Sequence, residues 1–152
     1  MLSWRGYIRI ATEELATKES GSWTLSATGL YLLRSLEQDC EIGQFSNQLV
    51  PCCGHFMVPD EKGGNDVLIM GCPNGIDWKI RHSNGAVIFE SEKGAEGRLL
   101  FTEYKSLVFN FISEIEDFYG DPTDKIIPDE EFDRSGFYQF CAEWNELKNK
   151  WK

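Results

Sequence analysis

The sequence is short of basic side chains, since 15 lysine and arginine residues face 25 aspartate and glutamate residues among 152 positions. The resulting formal net charge of −10 disfavours nucleic acid as a partner, because affinity for the phosphate backbone comes from lysine and arginine. The same charge disfavours anionic membrane surfaces. We therefore expect neither nucleic acid nor a membrane to be bound.

Long apolar runs are also missing, and the longest fall far short of the roughly 20 residues that a spanning helix needs. The first residues, MLSWRGY, contain no basic leader followed by an apolar run, so we expect no signal peptide. The chain has five cysteines, an odd number, and the adjacent Cys52 and Cys53 are an awkward disulfide pair. These features predict a cytoplasmic protein with reduced thiols.

Catalytic motifs are absent from the sequence. It contains no Gly-x-Ser-x-Gly, no phosphate-cradling glycine loop and no His-Glu-x-x-His. A cysteine nucleophile needs a positioned base and a group that orients the base, and only His55 and His82 are available as bases. Carboxylate pairs are plentiful in the acidic segment of residues 113–133, but their abundance without apolar enclosure is not expected to shift a pKa. We predict no catalytic residues, no enzyme activity and no cofactor.

The cysteines and His55 are the only candidates for a metal site. Zinc takes four thiolate or imidazole ligands, usually delivered as short-spaced pairs. Cys53 and His55 form one such pair, but Cys40 and Cys72 are isolated and no Cys-x-x-Cys occurs. We predict no metal. The alternative is a small metal- or ligand-binding domain that uses Cys52, Cys53, His55 and Cys72.

The most informative feature that is present is an acidic segment, residues 113–133. Its only base is Lys125, and its nine acids are Glu114, Glu116, Asp117, Asp121, Asp124, Asp129, Glu130, Glu131 and Asp133. Apolar residues alternate with these acids, whereas a solvating acidic tail has few aromatics. We interpret the segment as a folded surface that attracts a positively charged partner. The simpler alternative is a solvated face.

Trp78 is a second candidate for partner contact. It follows the turn sequence CPNGID, which simple turn chemistry also explains. The functional alternative is that Asn74, Asp77 and Trp78 rim a pocket, with Trp78 as an interface anchor. The predicted partner-binding residues are Glu114, Asp117, Asp121, Asp124, Asp129, Glu130, Glu131, Asp133 and Trp78.

The first two thirds of the chain are predicted to form strands. Residues 7–11 alternate. Residues 30–36 form an apolar run for which a helix is the alternative, but Gly29 and the turn-bounded length of seven residues favour a strand. Residues 66–71 form a short run typical of a buried strand. Residues 77–82 alternate strictly and lead into Asn84-Gly85, the sequence that a type I′ hairpin prefers. Residues 86–90 and 98–101 complete a meander.

Two helices are predicted to follow the strands. Thr102 is a suitable N-cap, and apolar residues then recur every three or four positions up to Gly120 and Pro122. The second helix begins near Asp133 or Ser135 and continues to Trp151, with Trp144 on its apolar stripe. The prediction is an α+β fold in one domain, residues 1–152. An antiparallel β-meander precedes two C-terminal helices that pack on the sheet.

Several segments resemble a family of short, uncharacterised bacterial proteins. They are residues 49–56 (LVPCCGHF), residues 71–78 (GCPNGIDW), residues 103–105 leading to 117–119, and residues 128–134 through Trp144. The family is similar in size and charge to the immunity proteins of bacterial toxin systems. Those proteins are small, acidic and cytosolic, and they block a toxin, often a basic nuclease. The resemblance implies an immunity-type protein that neutralises a basic toxin or nuclease domain.

Overall fold

The computed structural model describes residues 24–43, 48–52, 56–62, 66–71, 74–120 and 125–152, together with the backbone of residues 7–10 and 13–17. In this part of the chain, three antiparallel sheets and three helices form an α+β fold. The predicted fold class is therefore confirmed. Strand β1 (Tyr7–Ile10) pairs with β2 (Glu13–Thr17), and a register shift follows Ile8.

The predicted hairpin forms the largest of the three sheets. Strands β5 (Trp78–Ser83), β6 (Ala86–Ser91) and β7 (Glu96–Leu100) pair in sequence order. Asn84 and Gly85 have φ angles of 49° and 74°, as the type I′ turn requires. A separate two-stranded ribbon consists of β3 (Phe56–Val58) and β4 (Leu68–Met70). The segment 66–71 thus contains the predicted strand, although only Ile69 of β4 is buried.

The strand predicted at residues 30–36 is wrong, because residues 30–34 belong to helix α1 (Leu25–Arg34) and a turn follows. Burial around most of the helix explains the error. A short run that is apolar on all sides carries no period that separates a buried helix from a buried strand. Gly29 suggested a turn, but its role is close packing. A Cβ at Gly29 would lie 2.6 Å from the Trp144 ring.

The two C-terminal helices are present, with boundaries that differ slightly from those predicted. Helix α2 (Phe101–Tyr119) has Leu100 rather than Thr102 as its N-cap residue. The Leu100 N–H donates to the Glu103 carboxylate at 3.1 Å. Gly120 ends the helix with φ 69°. Helix α3 (Glu131–Trp151) begins two residues before Asp133.

The core lies where the helices meet the three-stranded sheet. Helix α2 contacts β6 and β7, α1 contacts both α2 and α3, and α3 contacts β3. Phe89 of the sheet packs edge-to-face on Tyr104 of α2 at a centroid distance of 5.3 Å. No helix in the described residues combines the length and the apolar character that crossing a membrane requires.

Candidate functional site

The acidic segment is a surface in the structure. Six of the eight predicted partner-binding acids fall in the described residues, and all six are exposed: Glu114, Asp117, Asp129, Glu130, Glu131 and Asp133. Asp121 and Asp124 lie outside the described residues. Glu114 and Asp117 belong to the last turns of α2, whereas the other four acids lie at the start of α3. The structure therefore divides the acids between two helix ends.

None of these six acids takes part in an ion pair within the described part of the chain. The ion pairs there use other carboxylates, those of Glu37, Asp39, Glu41, Glu90, Glu116 and Glu143. The single base of the segment, Lys125, instead donates to the backbone carbonyl of Tyr119 and lies 5.3 Å from the centre of its ring. Within the described residues, these six carboxylates therefore have no countercharge in an ion pair.

The two helix ends differ electrostatically. Acids near a helix N-terminus are stabilised by the partial positive charge of the helix dipole, which accounts for Glu131 and Asp133 in the first turn of α3. The C-terminus of α2 carries the opposite partial charge. Its last turn contains no basic side chain, yet Glu114 and Asp117 are close to it. Helix stability therefore explains the acids of α3 but not those of α2.

An apolar groove lies beside this surface. It has a volume of about 360 Å³ and runs between the end of α2 and the middle of α3. Ile115, Tyr119, Phe137, Phe140 and Trp144 provide much of its lining. Such a volume is within the usual range for a pocket that takes a small molecule or a side chain.

Glu116 is the acid of the segment that the protein uses internally. Its carboxylate accepts hydrogen bonds from Trp144 Nε1 at 2.9 Å and from Lys148 Nζ at 2.6 Å. Partial burial alone raises the pKa of Glu116, but the hydrogen bonds from Lys148 and Trp144 outweigh it and hold that pKa below its usual range. Glu116 therefore fixes α3 on α2 at the wall of the groove.

The assignment of Trp78 to the partner surface needs correction. Its side chain is only 4% exposed and belongs to the hydrophobic core with Ile80 of the same strand. The alternation of residues 77–82 places Trp78 and Ile80 on one face, and that face points inward. Trp78 is therefore unavailable to a partner on this surface.

The alternative site, at the cysteines and His55, lies mostly outside the described residues, as Cys53, His55 and Cys72 do. Cys52 is disulfide-bonded, which contradicts the expectation of reduced thiols at this position. A disulfide sulfur is not a thiolate and is not the zinc ligand that was considered. Within the described ranges, no group of three or more histidine, cysteine or acidic side chains is placed to hold a metal.

Within the described residues, the two free thiols and the second histidine form no hydrogen-bonded pair of nucleophile and base. Cys40 and Cys141 are free, and burial, with a smaller contribution from Asp77, raises the pKa of Cys40 to about 11. His82 Nδ1 lies 2.8 Å from Asp39 Oδ1. His82 Nε2 is buried and has no hydrogen-bond partner. The contact with Asp39 therefore fixes the orientation of the His82 ring, and the buried Nε2 is not accessible to a substrate.

Asp77, which was considered with Asn74 and Trp78 as the rim of a pocket, is a buried carboxylate. Its Oδ1 accepts from Trp78 N at 3.0 Å and Leu49 N at 3.4 Å, and its Oδ2 accepts from Gly43 N at 3.2 Å. Burial raises its pKa to about 6. All three donors are backbone N–H groups, two from loops and one from strand β5. The carboxylate therefore links these two loops to the start of β5.

Comparisons of the chain with protein-family models, with curated proteins and with solved structures found no match. The resemblance to a family of short bacterial proteins, and the similarity of that family in size and charge to immunity proteins, therefore stay predictions, and the site is argued from geometry alone. The groove was not predicted, since it is formed by two helices whose apolar stripes were each assigned to the core.

Proposed function

We propose that this chain is an acidic binding protein of immunity type, which neutralises a basic toxin or nuclease domain through the surface formed by residues 114–133. The observation that carries the proposal is the absence of any ion pair to Glu114, Asp117, Asp129, Glu130, Glu131 and Asp133 within the described residues. Packed like charges destabilise a folded protein. A basic partner would supply the missing countercharge.

Glu114 and Asp117 give the strongest support. They are exposed near the C-terminal end of α2, where a negative charge is unfavourable to the helix and no base follows in the last turn. Lysine at these positions would suit the helix better. Binding to a cationic surface explains why acids occupy them.

Exposed apolar side chains in the same segment add to the argument. Phe118, Tyr119, Ile126 and Ile127 are all at least 40% exposed, and Ile126 reaches 97%. Interfaces combine aromatic and aliphatic anchors with a charged rim, and the anchors supply most of the affinity. The segment therefore offers both components: charge for attraction and apolar surface for retention.

A matched pair of charge-reversal variants tests the proposal. Glu114→Lys with Asp117→Lys removes two of the uncompensated acids, and Glu92→Lys with Glu96→Lys makes the same change in net charge at exposed positions of the β6–β7 turn and β7. The binding probe is a basic nuclease domain taken from any toxin gene that lies beside this gene. The first variant should slow association at low salt at least about tenfold, because the acids steer the encounter. The control should change it much less.

The salt dependence of the association rate provides the second measurement. The rate for the wild type should fall steeply as ionic strength rises from 0.01 to about 0.15 M, since the screening length shrinks from about 30 Å to about 8 Å. The α2 variant should lose much of that slope. If the two variants have equal association rates and equal dependence of that rate on salt, the acidic segment is only a solvated face, and this function loses its support.

A cytoplasmic location belongs to the proposal, because the immunity proteins, to which the resembled family is similar in size and charge, act in the cytosol. The disulfide at Cys52 is a feature expected in oxidising compartments. Thiol labelling of the protein in intact cells, followed by mass spectrometry, distinguishes these cases. A labelled Cys52 agrees with the cytoplasm, and a protected Cys52 contradicts it.

A second candidate function is the binding of a small apolar molecule in the groove between α2 and α3, supported by its volume of about 360 Å³ and its mainly apolar lining. Saturable binding of a hydrophobic fluorescent probe, abolished by Phe137→Glu and unaffected by Tyr138→Glu, would support it. Tyr138 is 52% exposed and does not line this groove.

A further inference from the structure

The outer face of the β3–β4 ribbon is apolar and exposed. Phe56 pairs with Met70, and Val58 pairs with Leu68, so all four side chains lie on one face of the ribbon. Phe56, Leu68 and Met70 are 50%, 47% and 56% exposed. The opposite face carries Ile69, which is fully buried.

Helix α3 holds the ribbon in a fixed position. Gly136 packs so closely on β3 that a Cβ there would lie 1.9 Å from the carbonyl oxygen of Met57. The Gln139 side chain accepts from the Asp60 N–H at 2.7 Å and donates to the Asp60 carbonyl at 3.3 Å. The outer face therefore has a defined orientation relative to the first turns of α3.

Phe132 joins the ribbon to the acidic surface. Its ring lies 6.0 Å from that of Phe56, centre to centre, and its side chain is 45% exposed. Its neighbours Glu131 and Asp133 are the exposed, uncompensated acids of the first turn of α3. With about 3.6 residues per turn, neighbouring residues are about 100° apart around the helix axis, so one acid lies on each side of Phe132. An apolar patch thus borders a negative rim.

We propose that Phe56, Leu68, Met70 and Phe132 form the apolar anchor of the partner-binding surface, and that they contact apolar side chains ringed by lysine or arginine on the basic protein. This inference rests on the proposed function, because the same acids select the partner. It adds an anchoring role for the ribbon, which lies outside the acidic segment. The ribbon governs the lifetime of the complex, and the acids govern the rate of encounter.

The charge around the patch argues against a second copy of this chain as the occupant. A two-fold dimer brings the same patch of both copies together, so Glu130, Glu131 and Asp133 of one copy would approach those of the other. The patch is also small: four side chains of about 200 Å² each, half exposed, offer roughly 400 Å². A stable interface buries about 800 Å² on each partner, so the patch needs the adjoining acidic surface to complete it.

The test uses three synthetic ten-residue peptides as probes: alternating Leu-Lys, alternating Ser-Lys and alternating Leu-Glu. The Leu-Lys peptide should bind the wild type and shift backbone amide signals of β3, β4 and the first turn of α3. The double variant Phe56→Thr, Met70→Thr keeps residues suited to strands and should raise the Kd for this peptide at least about tenfold, mainly through faster dissociation. The Ser-Lys peptide should bind both proteins weakly and equally.

Two control proteins separate this inference from the proposed function. Leu107→Ala removes an apolar side chain that is 54% exposed on α2, and it should leave Leu-Lys binding unchanged. The double variant Glu131→Gln, Asp133→Asn should bind both lysine-containing peptides more weakly than the wild type does. If the ribbon variant binds Leu-Lys like the wild type, or if the shifted signals lie elsewhere, the anchor is refuted while the acidic surface stands.

The remaining outcomes are equally decisive. If the Glu131→Gln, Asp133→Asn variant binds both lysine-containing peptides with the same Kd as the wild type, the acidic surface itself is refuted. Equal binding of the Leu-Glu peptide would show that charge does not select the occupant and would overturn the proposal. A wild-type dimer in sedimentation equilibrium that Phe56→Thr, Met70→Thr dissociates would assign the patch to a second copy instead.

Discussion

Arg34 and Glu143 form a bidentate ion pair between α1 and α3, with Nε–Oε1 and Nη2–Oε2 distances of 2.5 and 2.8 Å. Their side chains are only 15% and 5% exposed. Both also bind Val67, whose N–H donates to Glu143 Oε2 at 2.9 Å and whose carbonyl accepts from Arg34 Nη2 at 2.6 Å. The pair therefore ties two helices to the residue that precedes β4.

Breaking this pair should destabilise the protein strongly. Glu143→Leu leaves the Arg34 guanidinium buried without its countercharge, and we expect the free energy of unfolding to fall by about 3–5 kcal/mol. Arg34→Met together with Glu143→Leu should cost less than the sum of the two single changes, because no lone charge remains. Urea denaturation of the three variants measures this. Strict additivity would mean that the two side chains are not coupled.

The Arg34–Glu143 pair also illustrates what sequence alone does not reveal. The two residues are 109 positions apart, and nothing local in either segment marks the other. The features that were predicted depend on local chemistry: Asn84-Gly85 specifies a two-residue turn, and apolar spacing specifies α2 and α3. Helix α1 was missed because residues 27–31 are buried in an unbroken run, so burial extends around the helix and the short apolar run does not distinguish a helix from a strand.

In the candidate site, too, some features follow from local sequence and others depend on residues far away in the chain. The exposure of Glu114 and Asp117 follows from charge, since an unpaired carboxylate is costly to bury. Trp78 was assigned to the surface although its alternation with Ile80 already placed both on one face. Which face of a strand points inward depends on the helix that covers it, and Tyr104 of α2 lies against this sheet. The exposed ribbon face likewise depends on which side α3 occupies.

Trp144 should be among the most important side chains for stability. It is 8% exposed, its ring contacts Gly29 of α1, and its indole N–H donates to Glu116. Trp144→Ala should lower the free energy of unfolding by about 3–5 kcal/mol. Tyr138→Ala, at an exposed position of the same helix, should change it by less than about 1 kcal/mol. A comparable loss for the two variants would mean that the buried face of α3 has been assigned incorrectly.

Gly136 should not tolerate a methyl group, although alanine favours helices. Substitution at an open helix position gains up to about 1 kcal/mol, but here the Cβ would lie 1.9 Å from the Met57 carbonyl oxygen. Strand β3 would have to move away from α3, and we expect Gly136→Ala to destabilise by roughly 1–3 kcal/mol. Thermal unfolding measures the change, with Ser135→Ala as the neighbouring control. A stabilised Gly136→Ala protein would refute the close approach of β3.

Asp77 should make stability depend on pH in the direction opposite to that of most carboxylates. Burial raises its pKa to about 6 in the folded protein, whereas an unfolded aspartate titrates near 4. Between these values the folded state binds more protons than the unfolded state. The contribution is therefore fully present below pH 4 and is lost as pH rises through 6. Its upper bound is roughly 2–3 kcal/mol, from a shift of about two pKa units.

Urea unfolding at pH 4, 5, 6 and 7.5 measures this dependence, and Asp77→Asn should flatten it over that range. Asp39→Asn is the control, because hydrogen bonds from His82 lower the pKa of Asp39, so its removal should leave the Asp77 trend in place. Carboxyl ¹³C titration by NMR locates the midpoint directly. A midpoint below 4 would mean that the N–H donors of Gly43, Leu49 and Trp78 outweigh burial. Stability would then rise, rather than fall, as the carboxylate of Asp77 ionises.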